Sequence, residues 1–235
     1  MKHILALLSC TLFACQAAVA DEHGVLSAVA LAEQNGRVLV MYVTPQQPDL
    51  MLAGTTHGGL WLSSDGGNQW HPASSDMQQL AVTAIVSEPY HPQIIYAGTG
   101  DGRSGKTSAG HGLYKSNDGG QHWQQLPLTD PQQVGERWNH VLSIAVSTDG
   151  IVLAATSDNK RNGYIFRSND GGNSWGLFPV YDGSAVGKHN LVHKVRFDPA
   201  DPQSAIFMDD YANVTYSNDA GISWSVVRKS SGTCK

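Results

Sequence analysis

Ser63-Ser64-Asp65-Gly66-Gly67-Asn68-Gln69-Trp70 decides the fold, because the chain writes it four times. It returns as Ser116-Asn117-Asp118-Gly119-Gly120-Gln121-His122-Trp123 and as Ser168-Asn169-Asp170-Gly171-Gly172-Asn173-Ser174-Trp175. The last copy is Ser217-Asn218-Asp219-Ala220-Gly221-Ile222-Ser223-Trp224. The aspartates are 53, 52 and 49 residues apart, a period that marks a repeat architecture. Each copy has the chemistry of a tight turn. Asp65 is placed to accept from backbone N–H groups ahead of it, and Ser63 to bond across the turn. Gly67 stands where a positive φ is expected, and Trp70 opens the next strand with a ring able to lie on a sheet. Asp118, Gly120 and Trp123, then Asp170, Gly172 and Trp175, then Asp219, Gly221 and Trp224 take the same parts.

Outward from the motif, each repeat has one frame. A first apolar run (Val38–Val43, Val82–Val86, Val141–Val146, Val192–Phe197) meets a Pro- or Gly-marked turn. A second run follows (Leu50–Ala53, Ile94–Ala97, Ile151–Ala154, Ala205–Met208), and a third enters the motif. A short fourth strand is expected after each Trp. The runs are short and rich in Val, Ile and aromatics, which favours strands over helices. The unit is therefore a four-stranded antiparallel sheet that needs a neighbour on each face, and radial stacking as propeller blades meets that need. The fold class is all-β, with repeats at about 36–76, 77–129, 130–181 and 182–229 in a domain of 21–235.

The whole chain is 235 residues, 41% hydrophobic and 15% charged, too apolar for disorder and sized for one domain. A formal charge of −5 and the lack of a long basic run exclude nucleic acid as an expected partner. Residues 1–20 have Lys2, an apolar run and Ala18-Val19-Ala20, the pattern of a cleaved signal peptide followed by Asp21-Glu22. Export to the periplasm or outside the cell is expected, with no transmembrane segment. Leu12-Phe13-Ala14-Cys15 fits a lipoprotein box poorly, because Phe13 is bulky. Cleavage removes Cys10 and Cys15 and leaves Cys234 alone, which excludes an intrachain disulfide. The ten histidines are scattered, so neither metal nor cofactor is expected.

The S-x-D-x-G-x-x-W pattern resembles the Asp-box, or BNR repeat, over about residues 36–229. It looks like the repeats of sialidases, xyloglucan-degrading glycoside hydrolases, sortilin-type receptors and photosystem II assembly factors. These are β-propellers in which the box joins the third and fourth strands of a blade and is structural. The frame Ile95–Thr99 followed by Gly112–Ser116 looks most like the xyloglucanase and sortilin-like group. The resemblance implies either a non-catalytic propeller that binds protein or glycan, or a glycoside hydrolase or the remnant of one. The sialidase pattern is not met: there is no Arg-Ile-Pro, and Arg103, Arg137, Arg161 and Arg196 lie outside its context. Those families use six, seven or ten blades; four boxes leave a compact four-bladed ring, an open arc completed by self-association or a partner, or a truncated relative. Val25–Leu31 is spare and reads as an edge strand or a short helix. Lys194 fits a crowded propeller axis badly.

Propeller ligands bind on loops, so the candidate residues are those between strands. The carboxylates available for acid/base work are Asp101, Glu136, Asp158, Asp209 and Asp210, although nothing in the sequence fixes two of them at a working distance. Arg103, His111, Arg137, Trp138, His140, Arg161 and His189 have the hydrogen-bonding and stacking chemistry of ligand contacts. Trp138 is the most pointed of these, an aromatic outside the boxes beside Arg137 and His140.

Overall fold

A computed structural model describes residues 26–77, 80–102, 110–178 and 190–228. Their strands form four antiparallel sheets in chain order, each a blade. Blade 1 has β2 (Val38–Thr44), β3 (Gln47–Thr55), β4 (Leu60–Ser63) and β5 (Gln69–Pro72), with a two-residue β1 (Leu26–Ser27) added to β5. Blade 2 has β6 (Val82–Ser87), β7 (Ile95–Thr99), β8 (Leu113–Ser116) and β9 (Gln124–Gln125). Helix α2 (Pro131–Val134) and a 3-10 turn (Glu136–Trp138) lead to blade 3, which has β10 (His140–Val146), β11 (Val152–Ser157), β12 (Gly163–Ser168) and β13 (Gly176–Phe178). Blade 4 has β14 (Val192–Asp198), β15 (Asp201–Asp209), β16 (Val214–Ser217) and β17 (Ser225–Arg228). The spare N-terminal stretch supplies both expected alternatives, β1 and then helix α1 (Ala28–Asn35).

The innermost strands β2, β6, β10 and β14 stand side by side in that order, and no packing of similar extent joins β14 back to β2. The blades are therefore an open arc. All four inner strands nevertheless line one axial cavity of about 490 Å3. The core lies between the blades rather than within them, because each sheet is apolar on both faces. Leu52 and Leu60 of blade 1 meet Val82 and Ile95 of blade 2, and Leu153 and Ile165 of blade 3 meet Val195 and Phe207 of blade 4. The free face of blade 1 is covered by α1, whose Ala30 and Leu31 pack on Ala53, Trp61 and Trp70.

The boxes are hydrogen-bonded turns. Gly67 N and Gly120 N donate to the hydroxyls of Ser63 and Ser116 at 2.9 and 2.8 Å. The carboxylates of Asp65 and Asp118 accept from the backbone N–H groups of Gln69 and His122, 2.9 Å in each case. Gly172 N and Gly221 N likewise donate to Ser168 and Ser217. The second box glycine also touches the preceding blade. A Cβ on Gly120 would sit 3.2 Å from Leu52, and one on Gly172 or Gly221 would sit 2.7 Å from Leu126 or Leu153. The turn therefore serves blade-to-blade packing as well as its own hairpin. The side chain just before the box completes the link: Lys115 Nζ donates to Gly171 O and Arg167 Nε to Ala220 O of the following box.

The ring N–H of Trp70, Trp123 and Trp224 donates to the carbonyl of Gly67, Gly120 and Gly221. Trp175 departs from this pattern: its Nε1 has no acceptor, and its ring stands edge-on to Trp138 with centroids 5.2 Å apart.

These turns set an acid limit. Hydrogen bonds from the Ser174 hydroxyl and N–H, and from Ser168, hold the Asp170 carboxyl at about 2, below its ordinary 3.8. At Asp118 desolvation pushes upward, but the His122 N–H and ring and the Ser116 hydroxyl outweigh it and also leave about 2. A carboxyl depressed by folding stabilises the folded state above its unfolded pKa and loses that contribution as pH falls through the folded one. The urea midpoint is therefore expected to hold above pH 4 and to drop between about pH 4 and 2, less steeply in Asp170→Asn.

Candidate ligand end and axial channel

Antiparallel order puts the boxes and the first-to-second hairpins at one end of every blade. The second-to-third hairpins and the links between blades lie at the other. All the described candidates belong to that second end: Asp101 and His111 between β7 and β8, Glu136, Arg137 and Trp138 in the link before β10, His140 at the start of β10, Asp158 and Arg161 between β11 and β12, Asp209 at the end of β15 and Asp210 directly after it. Arg103, His189, the stretch 1–20 expected to be a signal peptide, and Cys234 lie outside the described residues.

Two of the five carboxylates prove to be turn closures. Asp158 accepts from Lys160 N, Asn162 N, the Asn162 side chain and Tyr164 OH, at 2.7 to 3.0 Å. Desolvation pushes its carboxyl up, but these donors outweigh it and leave it below the ordinary range. Asp209 repeats the arrangement one blade on. It accepts from Tyr211 N, Asn213 N, the Asn213 side chain and Asn190 Nδ2. The fourth residue of each loop, Arg161 or Ala212, takes a positive φ of 62° or 56°. Both carboxylates are buried and fully occupied as acceptors, a poor setting for an acid/base group. The Asp-x-x-x-Asn spacing at 158–162 and 209–213 was the available signal for this second repeated turn.

Trp138 and His140, expected from the sequence as ligand contacts, are placed in the packed interior. Trp138 is 2% exposed, stacked on Phe166 at 4.3 Å in the core between blades 2 and 3. It is wedged where two sheets and the 3-10 turn converge, so it offers no stacking platform. His140 is also buried, with Nε2 3.1 Å from Asn159 Oδ1 and its ring packed on Gly102. Asp101 is buried beside that loop. Gln125 donates to the His111 carbonyl, which holds His111 by its backbone. Glu136 and Arg137 remain on the surface, with the Arg137 guanidinium 5.5 Å over the Tyr164 ring.

Arg161 and Asp210 belong to different repeats but meet across the junction of blades 3 and 4. Arg161 is 3.6 Å from Asp210, and His193 Nε2 contacts the other Asp210 oxygen. His193 reaches there because β14 skips a residue in its pairing between Val192 and Lys194. The same irregularity recurs at Val38/Val40, Val82/Ala84 and Val141/Ser143. A bulge re-aims the skipped side chain. The skipped residues Leu39, Thr83, Leu142 and His193 all line the axial cavity. The cavity lining also includes Lys194 and Arg196 and holds no carboxylate. Among the described residues no three His, Cys, Asp or Glu side chains gather as a metal site, and no helix is long and apolar enough to cross a membrane.

No family model matches the chain. A probable oligoxyloglucan-reducing end-specific xyloglucanase of Neosartorya fischeri is 29% identical over 106 residues, 43% of this chain and 12% of that protein. The GH74 xyloglucanase of Xanthomonas campestris superposes with a TM-score of 0.60 at 18% identity, over 86% of this chain and 31% of that one. An auxiliary nutrient binding protein from Bacteroides thetaiotaomicron superposes at 0.55 with 9% identity, over 83% and 43% of the two chains. This chain thus spans less than a third of the xyloglucanase structure and a smaller share of the curated relative. Four boxes in four like blades, stacked through interblade cores, make this chain an Asp-box β-propeller in the form of an open four-bladed arc.

Proposed function

We propose that the protein is an exported glycan-binding propeller, a remnant of the xyloglucanase type that holds a xyloglucan-like chain at the end opposite the boxes. The observation that carries this reading is the 29% identity to a probable xyloglucanase over 106 residues. The loop chemistry favours holding over hydrolysis. Asp158 and Asp209 are spent on their own turns, which leaves Asp101, Glu136 and Asp210 as the remaining carboxylates. Of these, Asp210 is engaged by Arg161 and His193, and Glu136 stands exposed on its 3-10 turn. Export rests on the leader sequence at 1–20.

Titration of the mature protein with xyloglucan oligosaccharides, followed by calorimetry and by assay of new reducing ends, tests the reading. Saturable binding without release of reducing ends is expected. Turnover that is lost in Asp210→Asn or Glu136→Gln would replace the remnant with an active hydrolase. Neither binding nor turnover would remove the glycan reading altogether.

A further inference from the structure

Blade 4 has one face that no other part of the described chain covers, and the repeat itself shows what that face is not. Matching the registers blade by blade gives two rows across each sheet on the side of the following blade. The first row reads Val40–Gly54–Leu60, Ala84–Gly98–Leu113, Ser143–Ala155–Ile165 and, in blade 4, Lys194–Met208–Val214. The middle residue is small in blades 1–3 for a visible reason. A Cβ on Gly54 would lie 2.5 Å from the Val82 carbonyl, and one on Gly98 would lie 2.4 Å from the Val141 side chain. Val82 and Val141 are the same position of the next blade's inner strand, and Ala155 packs in the same cluster as their counterpart Val192. Met208, 47% exposed, stands where that strand would have to pass. The second row places Ile206 and Tyr216 where Leu153 and Arg167 meet the next box, and it puts Arg196 on the inner strand. A fifth blade of this kind, from this chain or from a second copy, does not fit this face.

The face is nonetheless built to be covered. Ile206 is 52% exposed and Tyr216 36%, adjoining Met208 on one face of the sheet, a contiguous apolar surface of the kind that marks an interaction site. Beside it Lys194 and Arg196 stand exposed, and no ion pair neutralises either of them among the described residues. At the other end of the arc the protein shows how it closes a terminal sheet that has no blade to cover it: α1 lays Ala30 and Leu31 across Ala53, Trp61 and Trp70. That helix is spent on blade 1, so a second copy has none of this length to offer among its described residues.

We propose that the open face of blade 4 is a docking site for an amphipathic helix of a partner protein, apolar toward Met208, Ile206 and Tyr216 and acidic toward Lys194 and Arg196. Such a helix needs no gap at position 208, since it rides on the side-chain tips where a strand needs the sheet backbone. The acidic flank follows from charge complementarity, which sets partner choice more than affinity. This surface is separate from the loop end assigned to glycan, and the inference does not depend on that assignment.

Two synthetic amphipathic helices test it, one of leucine and glutamate and one of leucine and lysine, each titrated against the mature protein by fluorescence anisotropy. The glutamate helix is expected to bind saturably and the lysine helix not to bind. The double variant Lys194→Glu, Arg196→Glu, whose sites are exposed and leave the core intact, is expected to weaken the glutamate helix about tenfold or more. Tyr216→Ala tests the apolar side of the face with the charges kept. Equal binding of both helices, no binding of the glutamate helix, or binding unchanged in the double variant would each overturn the proposal. Concentration-dependent dimerisation of the wild type that Met208→Asp abolishes would also overturn it, by giving the face to a second copy. Displacement of the helix by xyloglucan oligosaccharides would assign the face to glycan instead.

Discussion

Trp138→Ala is expected to destabilise the protein by about 3–5 kcal/mol, the range for removing a large aromatic from a packed core. Trp138 fills the junction of blades 2 and 3, stacked on Phe166 and met edge-on by Trp175, with Leu113, Leu126 and Val141 in the same cluster. No neighbour can close the gap cheaply, because Phe166 and Val141 are each fixed by a paired strand, β12 and β10 of blade 3. Trp175, whose ring nitrogen lacks an acceptor, would lose its edge contact as well. Chemical denaturation measures the loss. A cost near that of an exposed aromatic, below about 1 kcal/mol, would mean that Trp138 faces solvent after all.

Asp209→Ala is expected to cost about 3 kcal/mol, because it leaves four donors facing an apolar methyl. The donors are Tyr211 N, Asn213 N, Asn213 Nδ2 and Asn190 Nδ2, around a carboxylate that is 2% exposed. Asp209→Asn is expected to cost less, because its amide oxygen keeps the backbone N–H bonds while its NH2 opposes the side-chain donors. The diagnostic is the pairing of stability with function. If Asp209 were an acid/base residue, Asp209→Asn would keep the melting temperature and lose turnover. The turn geometry predicts the converse, a lowered melting temperature with ligand affinity kept in the folded fraction.

What the sequence made legible was the periodic part. The Ser–Asp–Gly–Trp turn binds its own backbone, so its residue types are set locally and can be read without a fold. The strands β2, β6, β10 and β14 announce themselves through β-branched runs for the same reason. The loops were harder, because the same residue types serve two physical ends. Asp158 and Asp209 look like spare carboxylates until their donors four residues on are seen to bend back to them. Trp138 looks like a spare aromatic because the sequence does not show that a 3-10 turn drives it between two sheets. The skipped residue in each inner strand leaves no local trace, since a bulge is a matter of pairing register between strands. Lys194 was out of place for a closed axis, and the open arc supplies the reason: it borders the uncovered side of blade 4, where Val40, Ala84 and Ser143 of the other blades face a neighbour.

The central claim is that the blades form an arc whose two end faces do not meet, and the chain has built-in reporters for it. Met41 lies on the outer face of blade 1 and Met208 on the outer face of blade 4, 56% and 47% exposed, while Met77 is fully buried. In a closed ring Met41 and Met208 would face each other across a sheet-to-sheet junction. Limited oxidation with peroxide, followed by mass spectrometry of the methionine peptides, reads all three in one sample. The open arc predicts that Met41 and Met208 convert to sulfoxide at rates approaching those of the unfolded chain while Met77 stays protected. Protection of Met41 and Met208 to the degree of Met77, in a protein that sediments as a monomer, would contradict it and close the ring.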